Sequence, residues 1–181
     1  MLNCHARIAR IGAAVVLGLA LSTVAARAQD VSVQMDNSAP FATYKTYTWV
    51  NIEGVQYPQQ PTDGNIRSAI DSILKLKGMV KVDSNATVDV AYQASVQQSQ
   101  QTNFYGTGGA RWGGGMATAT TSTINTGDLV IDFYDPNLKM IVWRGQGTKS
   151  LNPSSDPQKN QQNLLKMVDK ILKGFPPKAG S

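Results

Sequence analysis

The sequence predicts one α+β domain, an antiparallel or mixed sheet of about five strands with two helices packed on one face. Three observations lead there. Most ordered-looking segments alternate apolar and polar residues with a period of two. Only two stretches, near 62–77 and 156–175, carry an apolar stripe at helical spacing. The resulting order is strand, strand, helix, strand, strand, strand, helix, with no repeating β-α-β rhythm, so a parallel doubly wound sheet is not expected.

Val31-Ser-Val33-Gln-Met35-Asp36 alternates as a half-buried strand does. The aromatic and β-branched run Phe41–Val50 predicts a second strand in its latter half. Gly54, Pro58 and Pro61 mark a loop. A helix follows, with Thr62 or Asp63 as its cap. Ile66, Ala69, Ile70, Ile73 and Leu74 form its buried stripe, while Arg67, Asp71 and Lys75 are expected to face out. Gly78, after Lys75 and Lys77, supplies a left-handed stop. Val88, Val90, Tyr92 and Ala94 then alternate with Asp89 and Gln93 in another strand.

The tract 97–126 is glutamine-rich, then glycine-rich from Gly106 to Gly115, then rich in threonine. It predicts a flexible loop whose threonine end extends the next strand. A hairpin over 128–145 turns at Asp135-Pro136-Asn137. Its register sets Leu129, Ile131 and Phe133 on the core face with Ile141 and Trp143, and brings Asp132 beside Arg144 on the solvent face. A last helix opens at Asp156-Pro157, buries Leu164, Val168, Ile171, Leu172 and Phe175, and stops at Gly174 and Pro176-Pro177.

The first 28 residues have the order of a secretory signal peptide: Arg7 and Arg10, an apolar run from Ile11 to Leu21, and an Ala26-Arg27-Ala28 site. Cleavage is expected between Ala28 and Gln29, leaving residues 29–181 as a single exported domain, soluble in the periplasm or beyond. The apolar run is shorter than the roughly 20 residues that span a bilayer. The one cysteine, Cys4, precedes that run, so it cannot serve as a lipid-attachment site behind it.

The chain has 17 basic and 12 acidic residues, a formal net charge of +5. Removing the leader with its three arginines leaves 14 against 12, or +2. Much of the basicity therefore belongs to targeting, and nucleic acid is not an expected partner. Cleavage also removes His5, the one histidine. A mature domain without Cys or His has no disulfide, no Cys/His zinc or haem ligation, no Cys nucleophile and no Ser-His-Asp triad. Its carboxylates are eleven aspartates and Glu53. We expect no cofactor, no tightly bound transition metal and no catalytic residues; an enzyme would have to work with Asp, Lys, Ser or Tyr.

Several segments together resemble a bacterial envelope family catalogued as domain of unknown function 4136, many of whose members are lipoproteins. They include Tyr44-Lys45-Thr46-Tyr47 and Trp49, Ile66-Arg67, Lys77-Gly78, Val90-Ala91-Tyr92, Leu129–Asp132, Val142–Gly145 and Phe175-Pro176-Pro177. The resemblance spans nearly all of the mature chain and implies an α+β envelope domain. It supplies no catalytic residues. This chain departs from the family's lipoprotein members in lacking the lipid-attachment cysteine, and Lys139 stands where related hairpins often carry a turn glycine.

The candidate surface residues are Arg111 and Trp112 at the loop tip and the pair Asp132–Arg144. The glycine tract does not lead into the Lys-Ser/Thr and helix of a phosphate loop. Asp128, Asp132 and Asp135 do not alternate as one calcium ligand set would require. Lys166, Lys170 and Lys173 read as the solvated face of the last helix. Tyr44, Tyr47, Trp49 and Tyr92 read as strand packing or as pocket walls. The expected function is a non-catalytic domain that binds or supports another envelope component, an unidentified protein or ligand. The alternatives are a carrier of a small apolar or lipid ligand and a histidine-independent enzyme.

Overall fold

The computed structural model describes residues 30–106 and 117–177. The predicted leader, with Ala28 and Gln29, and the loop-tip residues Arg111 and Trp112 lie outside the described residues.

The domain is α+β, with six strands rather than about five. They are β1 (Asp30–Met35), β2 (Thr46–Trp49), β3 (Val80–Lys81), β4 (Val88–Gly106), β5 (Ala117–Asp135) and β6 (Met140–Leu151). One sheet holds them in the order β1-β6-β5-β4-β2-β3. β2 runs parallel to β3 and β4, and every other pairing is antiparallel. The additional strand is β3, two residues long, which the sequence does not set apart from β4.

Helix α1 (Thr62–Leu76) connects β2 to β3, and α2 (Pro157–Leu172) follows β6. The predicted stripe of α1 is buried in full. Its end is also as expected, with Gly78 at φ +82°. Its start differs, because Pro61 occupies the cap position and makes no side-chain cap bond. In α2, the Asp156 carboxylate accepts the Gln158 N–H and Pro157 stands at the first helical position.

The core lies between the helices and one face of the sheet. Val88, Val90, Tyr92, Leu129, Ile131, Phe133 and Trp143 meet Ile70, Leu74, Val168 and Ile171 there. Phe175 stacks on Phe133 at 3.8 Å between ring centroids and meets Trp143 edge-on at 5.4 Å. Glycines at 145 and 147 let α2 approach the sheet. A Cβ on Gly145 would lie 2.2 Å from the Trp143 ring and 2.8 Å from Ile171. Gly145→Ala is therefore expected to cost about 1–3 kcal/mol by overpacking, read as a lower urea midpoint.

Two sequence expectations need correction. Ile141 does not join the core: it is 43% exposed. A bulge between Phe133/Tyr134 and Trp143/Ile141 leaves Val142 as the extra residue of β6, so Val142 is buried and Ile141 turns to the other face. The tract 97–126 is not a loop over most of its length. β4 continues to Gly106 and β5 begins at Ala117, paired through Gly106↔Ala117. Threonine favours extended backbone, and Thr102 and Thr121 hydroxyls meet across the pair at 3.3 Å. Beyond Asn125↔Leu151 the two strands have only each other as partners. Eight further residue pairs, Ser99↔Ile124 to Gly106↔Ala117, make a two-stranded ribbon of roughly 26 Å at about 3.3 Å per residue.

Candidate functional site

The helix-free face of the sheet carries the pair that the sequence singled out. Arg144 donates from Nε to Asp132 Oδ1 at 2.6 Å and from Nη2 to Oδ2 at 2.8 Å. The pairing is as expected, but the exposure is not: Asp132 is only 3% exposed, while the Arg144 side chain is 38% exposed. Asp132 is therefore not a surface contact residue; its carboxylate is covered and the guanidinium forms the outer part of the pair. Next to it, Asp128 accepts from the Thr148 hydroxyl at 2.6 Å and from Gln97 at 3.3 Å.

Asp89 lies on this face, paired with Tyr134. Burial, and then the nearby charge of Asp135, push its carboxyl above the usual range. A carboxylate with a folded pKa above its unfolded value opposes folding where it is ionised. That penalty disappears as pH falls below the unfolded value of about 3.9. Asp89→Asn should accordingly raise the urea midpoint at pH 7 and leave it unchanged near pH 3.

On the helix side, three aspartates tie the aromatic residues down. Tyr47 and Trp49 both donate to Asp71 Oδ1, at 2.7 and 2.8 Å, and Lys81 donates to Oδ2 at 3.1 Å. Tyr92 donates to Asp63, which also accepts from Arg67 Nε at 2.9 Å and Gln60 at 3.1 Å. Tyr44 donates to Asp135 at 2.6 Å, and the same carboxylate accepts the N–H groups of Asn137 and Leu138. Burial, then the bonded carboxylate, raises the three tyrosine hydroxyls above their ordinary range. The bond from Tyr92 holds Asp63 below the carboxylate range. For Asp135 burial pulls upward, but the bonds from Tyr44, Leu138 and Asn137 outweigh it.

Arg67 and Asp71, expected to face solvent, are thus both structural. The Arg67 guanidinium lies 4.8 Å from the Trp49 ring centre and 5.4 Å from those of Tyr57 and Tyr92, and bonds Asn51. This anchors the 51–61 connection to the sheet. No sequence signal pointed to these roles, because a polar residue beside a helical stripe looks the same whether water or a tyrosine meets it. The four aromatic residues resolve as packing with satisfied polar tips rather than as walls of one pocket.

Asp128, Asp132 and Asp135 each have separate partners, and among the described residues no three Asp, Glu, His or Cys side chains gather as a metal set. Lys166, Lys170 and Lys173 lie on the exposed face of α2 and just beyond it. The described residues form surface clefts, of which two bear on ligand binding. One, of about 360 Å³, has Phe41, Tyr44 and Phe175 in its wall with Lys45 and Lys77. The other, of about 620 Å³, is lined by Leu151, Leu164 and Met167 with Asn65, Gln161 and Asn163. The first turns of both helices line the larger cleft, and the chain leaving their C-terminal ends lines the smaller. The helices therefore run side by side in one direction, and Lys77 complements a carbonyl-rich helix end. Among the described residues no helix is long and apolar enough to cross a membrane.

A mixed six-stranded sheet covered on one face by two helices defines a small α+β domain. The family model described as Domain of unknown function (DUF4136) matches residues 31–177, and the chain belongs to that family. No curated protein matches the chain. Among solved structures it is similar in fold to a PDZ domain protein from Parabacteroides distasonis, at a TM-score of 0.53 and 9% identity over 82% of this chain. The match covers 35% of that protein, so the chain spans about a third of its length. A PelC dodecamer from Paraburkholderia phytofirmans matches at a TM-score of 0.49 and 12% identity, over 80% of this chain and 95% of the other. A putative neuraminyllactose-binding hemagglutinin homolog from Helicobacter pylori matches at 0.42 and 12%, over 76% and 88%.

Proposed function

We propose that the protein is an exported, non-catalytic domain of the cell envelope that binds or supports another envelope component. The observation that carries this reading is the β4–β5 ribbon. It projects eight residue pairs past the rest of the sheet, beyond the helices and the core. Its described side chains are largely Ser, Thr and Gln, and most are exposed. A segment that buries so little contributes little to the domain's own stability, so its ordered extension favours a contact outside the domain. Export is supported by the leader pattern of residues 1–28.

Two measurements test the proposal. N-terminal sequencing of protein from the periplasmic fraction should begin at Gln29; a retained leader in the membrane fraction overturns export. Photo-reactive residues placed at Gln100, Gln101, Thr121 and Thr123 in living cells should give one discrete adduct with an envelope component. Adducts from positions on the α2 surface with none from the ribbon would overturn the binding role assigned to it. The larger cleft, with its Leu151, Leu164 and Met167 lining, favours a carrier as the second reading. Saturable uptake of a fatty acid by the purified protein would support that alternative.

A further inference from the structure

We propose that β1 is a self-association edge, pairing antiparallel with β1 of a second copy to make one continuous sheet across a two-fold axis. Among the described residues β1 has a strand on one side only, β6. The Asp36 N–H donates to Val142 O on β6. By strand alternation the amides of Met35, Val33 and Val31 therefore point away from β6 toward the open edge.

The same three residues form an apolar row. Each pairs with a core-face residue of β6, as Val31↔Gly147, Val33↔Gly145 and Met35↔Trp143. Yet Val31, Val33 and Met35 remain 39%, 42% and 39% exposed. Native edges are commonly guarded by lysine, proline, a bulge or extreme shortness. The opposite edge follows that rule: β3 has two residues, one of them Lys81. β1 has six residues and a regular register, and its one charge, Asp30, stands at its first position.

The occupant follows from how the strand matches itself. With Val33 on the two-fold axis, Val33 faces Val33 of the second copy, Val31 faces Met35 and Ser32 faces Gln34. Apolar residues meet on the helix side and polar residues on the other side. No charge lies between Val31 and Met35; at each end the register sets Asp30 opposite Asp36 of the second copy, so the association should strengthen as salt rises. The same strand supplies both halves of the contact, as a two-fold interface requires. This proposal is independent of the ribbon.

Val33→Pro isolates the contact, since it removes an outward N–H that β6 does not use. Sedimentation equilibrium of the full chain carrying Cys4→Ser, up to about 1 mM, should show a monomer–dimer equilibrium. Val33→Pro should weaken it at least tenfold while leaving the urea midpoint of the monomer in place. Val33→Lys is the second variant, with the same expected loss, should proline disturb the strand. In the same background, Val33→Cys should oxidise to a covalent dimer, because opposed hydrogen-bonded residues have Cα atoms about 5.5 Å apart, within disulfide range. A chain that stays monomeric throughout leaves the edge to another protein's strand and overturns the proposal. So does a dimer that persists in both Val33→Pro and Val33→Lys.

Discussion

Trp143→Ala is expected to lower unfolding stability by about 3–5 kcal/mol, the range for truncating a large aromatic side chain in a packed core. Trp143 is wholly buried, with Phe133 and Phe175 both edge-on at 5.4 Å and Gly145 beneath its outer ring. Among the described residues its indole N–H has no hydrogen-bond partner. The expected loss is thus one of packing, with no hydrogen bond forfeited. Trp143→Phe should cost clearly less, because it fills much of the space and removes an unsatisfied donor. Against a usual total of about 5–15 kcal/mol, the alanine variant should be marginal or unfolded. Urea titration of both variants checks the order, and a near-neutral Trp143→Ala would remove the ring from the core.

Arg144→Met should be the more damaging of the two ways to break the open-face ion pair, at about 2–4 kcal/mol. It leaves the covered Asp132 carboxylate without either of its two guanidinium bonds. Asp132→Ala should cost less, about 1–2 kcal/mol, because the half-exposed Arg144 can turn to water. A fully exposed pair, as the register alone suggests, would lose no more than about 1 kcal/mol with its aspartate. In the double variant, Arg144→Met should cost less than it does alone. A double-mutant cycle by urea denaturation measures that difference, and equal single-variant costs would argue against the asymmetric burial.

The elements with a buried stripe were legible in the sequence. Both helices, the strand around Val88–Tyr92 and the Phe133–Trp143 register follow from the period of apolar residues. The ribbon was not legible, since strands wet on both faces show no apolar alternation, and glutamine with threonine resembles a linker. The Val142 bulge was equally silent: one extra residue in β6 moves Ile141 to the opposite face without leaving a mark in the composition. For the open-face pair, register alone brought Asp132 to Arg144. The depth of Asp132 depends on the three-dimensional arrangement around it, which alternation does not encode. The tyrosine–aspartate bonds link residues 24 to 91 positions apart, and no local pattern announces such a partner.

The pairing of β1 with β6 also bears on the order in which the molecule assembles. A ribosome delivers residues 30–35 early and 140–151 late, so the first strand has no neighbour until most of the chain has been made. The central β4–β5–β6 meander joins strands consecutive along the chain and can form without it. Closing β1 onto β6 spans more than a hundred residues, and such distant pairings slow folding because the entropy of closure precedes the reward of contact. Throughout that interval the Val31, Val33 and Met35 strand is free on both edges. The nascent chain therefore passes through a state in which its first strand is open to pairing with foreign strands, and a holding chaperone would act there.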